Sequence, residues 1–461
     1  MLAPSLTPKQ RGQRPVPISS PRENTNKHKV AVVGGGWSGI SAAWRLHQAG
    51  AHVTLYDEGL ALGGRSTSAK LGSKTVTLGG KNIGTKYELF REFASAQGAE
   101  EFEHFGINSA RVEDGQIRSV DGNARVKTMA GFLRHTPPRD VLQLLKLVRL
   151  VRKDNANRFL GGPGFVSLVK KHDLSIDRRF GSYITSQLIR PMTIRMNGAE
   201  PDEAFLGNFG TNLGMLLDQF DQLTEGFDPL FSHFQEVIDV QLGHAVEQIH
   251  HEAGRVTGLT LRTESGAETG ATTEAMVLAI PSWDSARLLS PIDEEFGALL
   301  REVEYFPVAV AMADYDNDVF SKSIRGLVFP KTSVVSNAGA YGATDLNIVR
   351  YTFSGRQARG ALSESLSTSE LLDIAENELD ALIPVKHNLR RHTVSASWKH
   401  GLCAYGPDHN ARLKRISAKV DEFSGLALAG DYIQGASIEA CFRAGKFGAE
   451  SVLSALNHSH S

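Results

Sequence analysis

The sequence predicts an α/β protein built of two parts threaded through each other, a parallel-sheet nucleotide-type domain and an α+β domain. Three observations predict it. A short apolar strand, a glycine turn, an amphipathic helix and a second strand follow one another over residues 29–57. A strand, a glycine turn and a long helix return at the far end, in GLALAGDYIQGASIEACFRAGKFGAESVLSAL. Between them lie irregular helices and a second group of strands, and 461 residues exceed what one core usually serves.

The elements follow in chain order. Residues 1–28 are rich in Pro, Ser, Arg and Lys, with Glu23 the only acid, and read as a disordered tail outside the fold. An acid-poor basic leader is also the composition of an organelle-targeting peptide, so the cytoplasmic location expected from two cysteines is not exclusive. Lys29 to Val33 is β-branched and stops at glycine, as a buried parallel strand does. From Ser38, the residues Ile40, Ala43, Trp44 and Leu46 keep helical spacing up to Gly50, and HVTLYD is the next strand. TVTLGGKNIGTKYELFREFASAQG reads as strand, second glycine turn and helix. Helices are expected in SYITSQLIRPM, EAFLGNFGTNLGMLLDQF and DPLFSHFQEVIDV. RVTGLTLRTES and EAMVLAIPS read as strands, EEFGALLREVEY as a helix, and PVAVAMADY and NIVRYTFSG as a return to sheet.

Bulk electrostatics exclude one class of function. With 50 basic and 51 acidic side chains the formal charge is -1, which gives no footprint for nucleic acid. No later run of apolar residues is long enough to span a bilayer. His250 and His251 are adjacent on a strand and point to opposite faces, and no H-E-x-x-H or C-x-x-C occurs, so no metal site is expected.

The chemistry starts at GGGWSG. Its G-x-G-x-x-G spacing falls on Gly34, Gly36 and Gly39, with Trp37 and Ser38 opening the helix. The first glycine permits the turn, the second lets backbone approach a pyrophosphate, and the third lets helix and strand pack closely. The N–H groups of the helix start then face the phosphate. Asp57 ends the second strand, 18 residues past Gly39, where an acid accepts from ribose hydroxyls. Ser38 is not a nucleophile-elbow serine, because Ile40 occupies the place of the required glycine. Behind Asp57, LALGGRSTS places Gly64 and Arg65 where a planar guanidinium suits a second pyrophosphate contact.

These stretches together resemble the flavin-dependent amine oxidase superfamily, which includes monoamine oxidases, protoporphyrinogen oxidases and phytoene-type desaturases. The resemblance covers residues 29–98, about 240–290 and 395–455. It implies FAD as cofactor and a Rossmann-type FAD-binding domain of the GR2-like flavoproteins, interleaved with an α+β substrate domain. The expected division is 29–98 with 232–295 and 395–461 for FAD, and 99–231 with 296–394 for substrate. Within it, LGGKNIG is similar to the family's second glycine loop, so Gly79 and Gly80 are expected beside the flavin ring, although Thr77 stands where an acid is usual. Val246 in AVEQIHHEAGRVTGLTL is expected to meet the adenine through its backbone. LALAGDYIQGASIEACFRAG resembles the closing flavin motif. Gly430 and Asp431 would hold the ribityl or phosphate region, and the helix start at Ser437 and Ile438 would face the flavin's pyrimidine edge. SWKHGLCAYGPDH keeps Trp398, Tyr405 and His409 of the protoporphyrinogen-oxidase-like branch, with Cys403 in place of proline and Asp408 in place of glycine.

The resemblance implies an FAD-dependent oxidoreductase that dehydrogenates a C–N or C–C bond of a small, lipophilic organic substrate. Hydride passes to flavin N5 and dioxygen is the simplest oxidant for the return. Alternatives are a desaturase or isomerase of an isoprenoid or polyene, an aromatic-hydroxylase-type monooxygenase, and a non-catalytic escort-type binding protein. No catalytic residue is assigned. The family's water-holding lysine belongs on PVAVAMADY, which has none, and Lys331 in GLVFPKTS is the substitute considered. Arg190 and Arg195 in IRPMTIRMNG could clamp a carboxylate. Gln143, Lys146, Arg149 and Arg152 give PPRDVLQLLKLVRLVRK a basic stripe, and a membrane surface is the partner considered for it. Cys403 and Cys441 read as core residues.

Overall fold

The computed structural model describes residues 28–105, 109–113, 115–118, 134–385 and 389–458, so the expected tail lies outside them except for His28. His28 marks the start of the fold, its Nδ1 2.8 Å from a carboxylate oxygen of Glu274.

Five parallel strands run in the spatial order Asp239–Leu242, His52–Asp57, Lys29–Val33, Ala275–Leu278, Leu426–Leu428. The central strand is buried on both faces, which is why it reads as an unbroken apolar run. Val30 and Val32 enter one core, with the helices Trp37–Gln48, Glu88–Ala96 and Ile438–His458. Ala31 and Val33 enter the other. That second face is covered by an antiparallel sheet, His244–Glu252, Arg255–Thr263 and Glu268–Thr272, and by the helices Ser282–Leu289 and Glu294–Arg301. The result is a three-layer sandwich around the parallel sheet.

A seven-stranded sheet forms the second part, ordered Arg390–Cys403, Tyr305–Tyr315, Ile348–Phe353, Asn337–Ala340, Gly326–Val328, Ser109–Glu113, Gln116–Arg118. Strand alternation splits its faces. Val349, Tyr351 and Phe353 pack under the helix Thr368–Asp380. Val310, Met312 and Ile348 pack on Leu71, Val76 and Leu78 of the hairpin that carries the second glycine loop. The two parts of the molecule therefore meet across that loop.

Three expectations change. DPLFSHFQEVIDV is a helix only over Asp228–Val237; its tail becomes the edge strand Asp239–Leu242, because Val240 pairs in register with Leu55. The divisions at 295 and 395 also move. Phe296, Leu299 and Leu300 are buried in the core of the parallel sheet, whereas Arg390–Cys403 pairs with Tyr305–Tyr315 in the seven-stranded sheet. Finally, SYITSQLIRPM is not uniformly α-helical: a π turn at Thr185–Ile189 precedes the α-helix Arg190–Asn197. Pro191 follows that turn and has no N–H to donate, a common cause of such irregularity.

Candidate active site

Ligands of doubly wound sheets bind beyond the carboxyl ends of the strands, where the strand order reverses. Here that point lies between Lys29–Val33 and Ala275–Leu278, and it gathers most of the expected residues. Asp57 leaves its strand with Oδ2 2.5 Å from the Gly35 N–H and Oδ1 2.7 Å from that of Gly59. Burial raises its carboxyl pKa, and these two donors oppose the rise. The Gly63 N–H donates to the Gly35 carbonyl at 2.9 Å, locking the G-G-R turn onto the first glycine turn.

Close packing explains the glycines. A Cβ on Gly39 would lie 1.7 Å from the Gly34 carbonyl oxygen, and one on Gly79 would lie 1.4 Å from that of Arg65. Gly36 is different: a Cβ there would meet no protein atom within 4 Å. It opens a helix that has no side-chain cap, so the donors of the first turn face open space, as a pyrophosphate requires. The geometry fits FAD. Trp37 can offer a ligand only its backbone, since its ring is buried among Phe90, Phe227, Phe231 and Phe442. Ser38 is likewise buried on the same helix.

Asp431 is the hub of the far side. Its carboxylate accepts from Arg65 Nη1 at 2.7 Å and from the Tyr305 hydroxyl at 2.8 Å. Burial alone would lower the Arg65 pKa, but the charge of Asp431 outweighs it and raises it. Arg65 also donates to the Gly401 carbonyl at 2.9 Å. The Asp431 carbonyl accepts from the Tyr405 hydroxyl at 2.9 Å. Tyr405 holds a left-handed backbone, φ 51°, an unfavourable state for an aromatic residue kept in place by that bond and by Asn208, which donates to its carbonyl. Asp408, the glycine replacement, is also left-handed, at φ 58°. Aspartate tolerates that state, which explains the exchange. His409 is buried, and burial pushes its pKa down to about 4. Its neutral ring donates Nε2–H to the Tyr432 carbonyl at 2.8 Å.

The remaining expected residues are placed as follows. Gly430 precedes the short helix Asp431–Gln434, and the closing helix begins at Ile438 with the Ser437 hydroxyl accepting the Ala440 N–H at 3.1 Å. Gly80 accepts from the Ser66 hydroxyl at 2.9 Å. Val246 is buried, and its carbonyl accepts from Arg287 at 2.9 Å. Its strand is held beside the Asp57 loop by the Gly243 N–H, 3.0 Å from the Gly59 carbonyl. Cys403 and Cys441 lie deep near Asp431; burial raises both thiol pKa values, that of Cys441 to about 12, so both are protonated at neutral pH.

Two candidates fall away. Lys331 is exposed in a turn. Arg190 is bound to Glu200, 2.8 Å from Nε to the carboxylate, and to the Phe329 carbonyl, which makes it a structural residue. One residue was not singled out from the sequence. Lys81, next in the chain after Gly80, is 7% exposed and lies between the rings of Tyr341 and Phe105, 3.7 and 4.5 Å from their centres. Burial, then the cation of Arg350, pushes its pKa down to about 7. The signal that marks it is a lysine inside an otherwise apolar and glycine-rich turn.

The sequence profile of the flavin containing amine oxidoreductases matches residues 37–453. The chain belongs to this family, is a flavin oxidoreductase, and uses FAD. Among curated relatives it is 27% identical to coproporphyrinogen III oxidase of Mycobacterium tuberculosis, across 92% of this chain and 97% of the relative. An L-amino-acid oxidase of Sistrurus catenatus edwardsii matches 34% over 84 residues, 18% of this chain and 16% of that protein. Among solved structures, cyclohexylamine oxidase from Brevibacterium oxydans has the same fold, with TM-score 0.70, 16% identity, and coverage of 94% of this chain and 100% of that one. An Exiguobacterium protein assigned as a protoporphyrinogen oxidase gives TM-score 0.69 at 18% identity, over 94% and 99%. No helix among the described residues is long and apolar enough to cross a membrane.

Proposed function

We propose that this enzyme dehydrogenates a C–N or C–C bond of a porphyrinogen-like substrate, with dioxygen as the final oxidant. The bound flavin supplies the hydride acceptor at N5. The protein supplies binding, orientation and dryness. On this reading Gly34, Gly36, Gly39 and the helix start at Trp37 and Ser38 hold the pyrophosphate, and Arg65 meets it from the Gly64 turn. Asp57 takes the ribose and Val246 the adenine. Gly79 and Gly80 border the flavin ring, Gly430 and Asp431 the ribityl chain, and Ser437 and Ile438 the pyrimidine edge. The helix start at Ile438 favours negative charge there by about 0.3–1 kcal/mol.

One observation carries the reading: no lysine stands on Tyr305–Tyr315, and Lys331 is on the surface, so the machinery that the resemblance associates with amine oxidation is absent from its place. The 27% identity that spans nearly the whole coproporphyrinogen III oxidase points the same way. Exposed Leu142 and Leu145 beside exposed Lys146, Arg149 and Arg152 on the helix Pro138–Lys153 support delivery of substrate at an anionic membrane surface. Cosedimentation with anionic vesicles tests that contact. The main test is anaerobic addition of coproporphyrinogen III, putrescine or cyclohexylamine to the yellow enzyme. Bleaching by the porphyrinogen alone is the expected result, and bleaching by either amine alone overturns the reading.

A further inference from the structure

The chain leaves the strand Ala275–Leu278 pressed against two glycines of the cofactor side. A Cβ on Gly34 would lie 2.6 Å from the Ala279 carbonyl oxygen, and one on Gly430 would lie 3.6 Å from that of Ile280. Three residues past Ile280 stands Trp283, at the start of the helix Ser282–Leu289 and 43% exposed. Its ring stacks on that of His400, with centroids 4.8 Å apart and planes 20° from parallel. His400 belongs to Arg390–Cys403 in the seven-stranded sheet, so the pair joins the two parts of the molecule.

The neighbours of His400 fix where the pair sits. Gly401, next in the chain, accepts from Arg65 at 2.9 Å. The Tyr305 ring meets that of His400 at 88°, 6.4 Å between centroids, and the Tyr305 hydroxyl donates to Asp431 at 2.8 Å. At the foot of Trp283 the Ser282 hydroxyl is buried with no hydrogen-bond partner among the described residues. Leaving a buried hydroxyl unpaired is unfavourable, and a polar ligand passing that point would relieve it. The stacked rings therefore span the solvent side of the place where Gly34, Arg65, Gly430 and Asp431 come together.

The two rings are held unequally. His400 leans on Tyr305, which Asp431 anchors, whereas Trp283 has no second aromatic neighbour among the described residues. An exposed tryptophan turns about its side-chain torsions, so it can swing off His400 while its helix stays in place. We propose that Trp283 and His400 form a clasp over the cofactor site, which must open for FAD to enter or leave and so slows both. The inference rests on the proposed seating of the pyrophosphate and ribityl chain between Gly34 and Asp431, and its test separates the two.

Release is read as the rise in flavin fluorescence when holoenzyme is diluted, and uptake as its quenching when FAD is added to the apo protein. Trp283→Ala and His400→Ala are each expected to speed both by about tenfold or more, with the melting temperature of the apo protein unchanged. The double variant should exchange no faster than either single one, because the clasp needs both rings. Trp283→Phe keeps a stacking ring and is expected to restore slow exchange. The two residues lie on separate elements, so either alanine variant decides the matter if the other misfolds. A contact that only stabilised the loaded state would speed release and leave uptake alone; that result, or release at the wild-type rate, overturns the proposal. Gly36→Val that keeps its flavin overturns the seating and the clasp with it. Gly36→Val without flavin, beside wild-type exchange in Trp283→Ala, overturns the clasp alone.

Discussion

On the nucleotide side of the site, Arg65 sits 2.7 Å from Asp431 and the Asp57 carboxylate is filled by two backbone N–H groups. On the side of the seven-stranded sheet, Arg350 Nε is buried with no acceptor, and Lys81 donates to the neutral Tyr341 carbonyl and Gln222 amide. The first region offers uncapped backbone donors and balances its charges internally. The second leaves a buried guanidinium N–H without an acceptor. A ligand used by every member of a family can be met by backbone, whereas a ligand that varies has to be met by side chains.

The sharpest way to break this comparison is through the glycines. Gly39→Val places side-chain atoms against the Gly34 carbonyl and is expected to abolish folded, yellow protein, a loss above about 4 kcal/mol. Gly36→Val meets open space, so the apo protein should melt as the wild type does while FAD content falls to near zero; a variant that stays yellow removes the cradle. Next comes the charge balance. Asp431→Asn strands Arg65 and is expected to cost about 3–5 kcal/mol in urea denaturation. Arg195→Gln should leave the melting temperature unchanged or higher, since it removes a cation that has no ion pair among the described residues; a clear drop would show that Arg195 is structural.

A smaller effect follows acidification. The His409 pKa is depressed to about 4, so between that value and its unfolded value the unfolded chain binds more protons than the folded one. Stability is therefore full above the unfolded pKa and falls as pH drops towards 4, by about 3 kcal/mol in all. His409→Gln should flatten that part of the stability profile. The least perturbing test concerns the thiols. Cys441→Ser should change stability by about 1 kcal/mol or less, and acid denaturation should release all the flavin, because neither protonated cysteine is poised to attack it.

The legible part of the molecule was local. Strand, glycine spacing, helix and Asp57 lie within one short segment whose chemistry needs each residue at its place, and the structure keeps all of them there. The helix end at Val237 is not legible in the sequence because Ile238 continues the helical spacing of Phe231 and Phe234, and only pairing with His52–Asp57 turns the residues from Asp239 into a strand. Arg190 and Arg195 looked equivalent in sequence. Glu200 captures the one, and among the described residues no carboxylate pairs with the other, a distinction set by the direction in which each leaves its helix.

By itself the sequence determined the nucleotide-type turn and the FAD-dependent class, since backbone contacts to a phosphate depend on glycines at fixed short spacings. Only the tertiary structure decided what the seven-stranded sheet presents to the second glycine loop. Arg350 faces Leu78 because its strand pairs with Tyr305–Tyr315 in one register, and shifting that register by one residue would turn it to the opposite face. Lys81 lies against the ring of Tyr341, far from it in the chain, and spacing along one sequence carries no trace of that meeting.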